Sequence, residues 1–192
     1  LETESKKLIS VLDRVFCHGN KIGLDFIEIP FMGKTELKIK DFESSPFYDL
    51  LELIVSFSKK YSLNVFLETP FGYKDNLFLL EKINSSDFYV TLDTGNAVAQ
   101  GINPEKYINE LKNKIGNVHI KDCDYSGKSV PLGDGEVNFT TIFNELENIN
   151  YSGKYILEAV KEDVYYPESN IQPKETIMNY RKYLSQYLEK YI

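Results

Sequence analysis

The chain has 192 residues, 42% of them apolar and 27% charged, and its 22 Lys and Arg against 29 Asp and Glu leave a formal net charge of −7. That length supports one sizeable hydrophobic core rather than two. The acidic balance (pI about 5.0) argues against a binder of nucleic-acid backbones, because displacing counterions from phosphates needs a basic stripe. A small anionic substrate needs only a local group of donors and stays open. The apolar stretches fall well short of the roughly 18 residues of a membrane span, and no charged-then-apolar leader is expected. Cys17 and Cys123 lie far apart, which fits a reduced cytoplasmic chain better than a disulfide framework. The chain opens on Leu1 rather than Met, inside a helical pattern, so a fragment or processed product is expected.

In chain order, residues 3–16 place Leu8, Val11, Leu12 and Val15 at spacings of three and four, the mark of an amphipathic helix. Residues 22–30 (IGLDFIEIP) read as a strand closed by Pro30. Residues 46–61 form a second helix with Leu50, Leu53, Ile54 and Phe57 on one face. Residues 63–69 (LNVFLET) are a strand stopped by Pro70, 75–83 a short helix, and 88–92 (FYVTL) a strand running into Asp93-Thr94-Gly95. A helix over 104–115 starts with Pro104, whose missing N–H costs nothing in the first turn. Then come a strand at 117–121 (NVHIK), a helix at 140–149, a strand at 155–160 (YILEAV) and a closing helix at 173–191. Five strands alternating with helices imply an α/β fold with a parallel sheet covered by helices. Apolar runs such as Val65-Phe66-Leu67 suit strands buried on both faces.

Four of these strands carry charge near their C-terminal ends: Glu68, Asp93, His119 and Glu158. Buried strands should not do so without compensation, and the C-terminal edge of a parallel sheet is where α/β proteins place their chemistry. Parity points the same way. The flanking apolar residues Leu67, Leu92, Val118, Ile120, Leu157 and Ala159 would face the helices, turning the charged side chains to the opposite side. Taken singly, each has an ordinary structural explanation: a helix cap, a surface ion pair, a hydrogen-bonded core histidine. Taken together, three carboxylates and an imidazole are explained most economically by a divalent cation. The oxygen-rich set favours Mn²⁺ or Mg²⁺ over Co²⁺ or Zn²⁺.

The segments LET (67–69), LDTGN (92–96), VHIKD (118–122), PLGDGEVNF (131–139) and YSGKYILE (151–158) follow in the order seen in xylose-isomerase-like TIM barrels. The chain resembles their sugar (phosphate) isomerase/epimerase branch over roughly residues 20 to 192. The resemblance implies a (β/α)8 barrel of which this chain would supply about five βα units, strands 4 to 8, as a single partial domain over 1–192. It also implies that Glu68, Asp93, His119 and Glu158 are the metal ligands and that Glu68 and Glu158 are the catalytic acid/base pair. The chemistry is coherent. A cation bridging a carbonyl and the adjacent hydroxyl would stabilise an enediolate as a Lewis acid, and two carboxylates on opposite faces would take and return the proton. Return to the same carbon is epimerisation; return to its neighbour is isomerisation.

Lys121 shares the parity of His119 and would contact substrate, with an ion pair to Asp122 as the alternative. Asp122 would fix His119 or Lys121 from behind. Asn96 stands where many relatives carry a substrate-contacting histidine, and Tyr125 near a position where they tend to carry arginine. Both departures leave open a dehydratase-like or non-catalytic member. An endonuclease of the endonuclease IV type would need more histidines than His18 and His119. Gly133 and Gly135 either turn the chain or let it approach substrate, the turn being favoured. Glu28 lines the barrel mouth or faces a helix lysine, and His18 sits at a helix end. Tyr180, Tyr183, Tyr187 and Tyr191 form a stripe that packs the last helix on the barrel or, alternatively, joins two copies. A complete barrel takes about 250 residues, so a longer native product or self-association is expected, since an open arc would expose a strand edge.

Overall fold

The structure, a computed structural model, describes residues 2–32, 39, 46–158, 160 and 173–188. They fall into two compact units, Leu1–Thr91 and Leu92–Ile192, with the division inside the third strand.

The first unit contains α1 (Glu2–Lys21), β1 (Phe26–Pro30), α2 (Pro46–Tyr61), β2 (Asn64–Glu68), α3 (Tyr73–Ile83) and most of β3 (Phe88–Asp93). The three strands are parallel neighbours, with Glu28 opposite Phe66 and Phe66 opposite Tyr89. Helices separate consecutive strands, and this is why the pairing is parallel. Val65, Leu67, Phe88 and Val90 are wholly buried, with Phe16, Ile54 and Leu79; removing one such side chain from water contributes about 1.5–3 kcal/mol. On the other face of the strands Phe26 stacks on Phe66, which meets Tyr89 edge to face. The register puts Glu28 on the face of Phe66 and Glu68. The apolar face of α1 behaves differently from those of the later helices. Leu8, Val11 and Val15 are 38–45% exposed and burial falls on Phe16.

The second unit opens with the end of β3 and continues through α4 (Thr94–Ala99), α5 (Pro104–Leu111) and β4 (Ile115–Ile120). A hairpin follows, β5 (Asp122–Cys123) antiparallel to β6 (Ser129–Val130). Then come α6 (Phe139–Asn148), β7 (Lys154–Leu157) and α7 (Pro173–Leu188). β4 and β7 pair in parallel, His119 opposite Ile156. Asn103 caps α5 through the Lys106 N–H ahead of Pro104, and Asn138 caps α6 through the Thr141 N–H. Each cap satisfies an N–H that the first helical turn leaves open.

Two departures from the sequence reading have physical reasons, and a third expectation is met. The helix expected over 104–115 ends at Leu111, because Lys112 takes a left-handed φ of 44° and a 3-10 turn carries the chain into β4 two residues earlier than expected. The apolar Ile115 thereby becomes a buried strand residue. Leu157, expected to be covered by a helix, is 38% exposed; its strand has β4 as a neighbour on one side. The tyrosine stripe packs inward: Tyr183 and Tyr187 lie against Phe139, Tyr187 also stacks on Phe143, and Tyr180 donates to the Val160 carbonyl at 2.8 Å. Tyr191, Ala159 and the end of the closing helix lie outside the described residues. Among the described residues, no helix is long and apolar enough to cross a membrane.

Candidate metal centre

Three strand ends of the second unit build the site. Asp93 closes β3 and starts α4: its Oδ1 accepts the Asn96 N–H at 2.7 Å. The other oxygen, Oδ2, is buried and has no hydrogen-bond partner among the described residues. The side chain is 2% exposed. Burial pushes its carboxyl above the usual range, against the Asn96 N–H and the Lys121 charge, which favour the ionised form.

His119 is buried on β4, with Nδ1 2.9 Å from Glu158 Oε2 and Nε2 3.5 Å from the Asn117 amide nitrogen. Glu158 follows β7, and its backbone N–H donates to the Ile120 carbonyl, extending the ladder to the site. The hydrogen bond with His119, and after it that from Lys121, holds the Glu158 carboxyl down at about 2. One donor atom from each of Asp93, His119 and Glu158 lies within 4.8 Å of the others. Two oxygens and an imidazole nitrogen at that spacing can converge on one ion, with the orphaned Asp93 Oδ2 as a ready ligand.

Lys121 reaches the same point, its Nζ 2.8 Å from Glu158 Oε1 and 3.6 Å from Asp93 Oδ2. This is the site-facing alternative of the sequence reading. The Asp122 ion pair is not formed. Asp122 also takes neither of the places expected of it, beside His119 or Lys121. Its Oδ1 accepts from Cys123 N and Val137 N, and its Oδ2 from Gly133 N and Gly135 N. Four backbone donors leave the carboxylate tied to the 131–137 loop. Gly135 is needed for that approach, since a Cβ there would collide with Asp122 Oδ1 and the Cys123 carbonyl. Gly133 turns the chain at a φ of 94°.

Thr94 and Gly95 were not singled out from the sequence, although the LDTGN segment contains them. The Thr94 hydroxyl donates to the Lys121 carbonyl at 2.6 Å and accepts its N–H at 2.9 Å. A Cβ on Gly95 would lie 2.9 Å from Lys121 Cγ. Asn96 contributes its backbone N–H to Asp93. Tyr125, at the hairpin tip, is 92% exposed, and His18 lies in the last turn of α1. Glu68 ends β2 in the first unit, half-buried on the strand face of Phe66, and its backbone carbonyl accepts the Phe31 N–H at 2.8 Å.

A family model described as xylose isomerase-like TIM barrel matches residues 47–183. Among curated relatives, the chain is 32% identical over 115 residues to SgbU of Haemophilus influenzae, a candidate L-ribulose-5-phosphate 3-epimerase, covering 56% of this chain and 38% of that one. It is 31% identical over 126 residues to an inosose dehydratase of Clostridium beijerinckii, covering 56% and 41%. The chain thus spans less than half the length of these relatives. Among solved structures, the IolI protein with a bound zinc atom superposes with a TM-score of 0.79 at 18% identity, covering 100% of this chain and 72% of that one. An L-ribulose 3-epimerase gives 0.72 at 17% identity, covering 95% and 67%. At these identities the two structures establish a shared fold.

Proposed function

The chain belongs to the xylose isomerase-like TIM barrel family, and from that membership we propose that it serves a metal-dependent isomerase or epimerase acting on a sugar or sugar phosphate. The observation that carries this reading is the buried Asp93 Oδ2, left without a hydrogen bond beside His119 and Glu158. A buried acceptor with no donor is costly, and a cation removes that cost. The proposed ligands are Glu68, Asp93, His119 and Glu158. Bound there, Mn²⁺ or Mg²⁺ (with Co²⁺ or Zn²⁺ as alternatives) would act as a Lewis acid toward the enediolate charge.

The chain's own groups do the rest. Glu158, kept ionised by His119 and Lys121, is available to accept a proton, and Glu68 is proposed as its opposite number in the acid/base pair. Lys121 and Asn96 are proposed to contact substrate oxygens. Asp122 is left out of that set, its oxygens being engaged by the loop. The free thiols of Cys17 and Cys123 support a cytoplasmic setting.

The likeness to inosose dehydratase favours a second reading, in which the same proton abstraction is followed by loss of a hydroxyl. One experiment separates the two. The chain is incubated with Mn²⁺ in D₂O against ketoses, ketose phosphates and inososes, and the products are read by NMR and mass spectrometry. Solvent deuterium in a product of unchanged composition supports the isomerase or epimerase. Loss of one water supports the dehydratase. Absence of both across the panel counts against each.

A further inference from the structure

Lys121 places a cation inside the acidic group already described. Its side chain is 17% exposed, and its ammonium sits 2.8 Å from Glu158 Oε1 and 3.6 Å from Asp93 Oδ2. The base of the residue is not free to wander. Thr94 holds both its backbone N–H and its carbonyl, and the stem rests against Gly95 at a distance that no larger residue would allow. Thr94 and Gly95 open α4, the helix that Asp93 caps. One short segment therefore presents an acid and fixes the position of its counter-ion.

We propose that the Lys121 ammonium is the placeholder for the metal: it neutralises Asp93 and Glu158 in the metal-free protein, holds them at ligand spacing, and leaves them when a divalent cation binds. The inference rests on the metal-site reading above and deepens it. Two carboxylates this close repel one another, and one of them is almost fully buried, so the metal-free site requires a positive charge. An ammonium suits this role because it is a compact charge on a flexible stem that can swing away while its backbone stays fixed. Within 4 Å of the ligand oxygens it also opposes an arriving cation, so Lys121 lowers metal affinity as it keeps the site assembled. The charged or titratable groups facing it in this unit are Asp93, His119 and Glu158, the same three that converge on the ion. Once displaced, the ammonium stands beside the site, where an anionic substrate oxygen can meet it.

Calorimetric titration of Mn²⁺, with Zn²⁺ in parallel, into the full chain tests this. Lys121→Met and Lys121→Gln are expected to bind at least about tenfold more tightly than the unchanged chain, and Lys121→Arg within about threefold of it. The melting temperature of the metal-free neutral variants should fall, and saturating metal should restore it. Affinity that is equal or weaker in whichever neutral variant folds overturns the placeholder role and leaves the metal site standing. If the unchanged chain binds neither ion, or if binding survives Asp93→Asn, the metal-site reading is lost and the placeholder role with it.

Discussion

Asp93, which closes β3, and Asp122, which comes two residues after β4, are both buried acids of the second unit, and the two regions around them use a carboxylate in opposite ways. In the loop region, Asp122 accepts from four backbone N–H groups, of Cys123, Gly133, Gly135 and Val137, and each oxygen is used twice. At the strand-end site, Asp93 spends one oxygen on the cap of α4 and keeps the other buried without a hydrogen bond among the described residues, 3.6 Å from the Lys121 ammonium. A saturated carboxylate organises backbone and has nothing left to offer a ligand. One that stays half-satisfied in a buried place costs stability, and such a cost persists where another function needs the group.

The sharpest way to break this contrast is to remove the saturated acid. Asp122→Ala is expected to cost about 3 kcal/mol or more in urea unfolding, since it strands several buried N–H donors. A loss below about 1 kcal/mol would show that the loop does not depend on it. Asp93→Asn should do the reverse. Metal affinity should fall by about a hundredfold or more, while the metal-free protein unfolds at the same or a higher temperature, because a neutral amide can still cap α4 and no charge is buried. Equal destabilisation by Asp93→Asn and Asp122→Asn would erase the distinction. Gly135→Ala, which forces a Cβ into Asp122 Oδ1 and the Cys123 carbonyl, should cost about 1–3 kcal/mol and leave metal affinity within a few-fold.

The smallest effect is on pH. In the metal-free protein, Glu158 is held down at about 2 from 4.5. Its stabilisation is therefore complete above 4.5 and is lost as pH falls toward 2. Asp93 is raised and acts with the opposite sign: its contribution is present below 3.8 and lost as pH rises through its folded value. Melting curves of Glu158→Gln should lose the acid-side slope, and those of Asp93→Asn should gain most over the unchanged chain toward neutral pH. Coincident profiles would count against both assignments.

Much of the architecture was legible beforehand because it is written in local patterns. The alternation of apolar strand runs with helical spacing gave the parallel order. Pro104 announced its helix, because a missing N–H is tolerated in the first turn. Strand-end charge at Asp93, His119 and Glu158 marked the candidate site, because an ionisable group at the end of a buried strand needs a reason in any fold. α4 escaped notice because six residues containing a glycine have no periodicity to read. The β5–β6 hairpin escaped because its strands are two residues long.

The division of labour between acids was not legible at all. Asp93 and Asp122 are the same residue type, each placed at or just past the end of a buried strand. What separates them is the supply of donors, and those of Asp122 come from backbone 11, 13 and 15 residues away. Lys121 shows the same limit. Its parity indicated the site, but the choice between Asp122 and Glu158 as its ion partner depended on β7, 37 residues on. Residue order specifies which groups carry charge and which segments are helix or strand, because those are short-range properties. Whether a charge is saturated, paired or left available is set by the distant backbone and side chains that folding brings within about 3 Å of it.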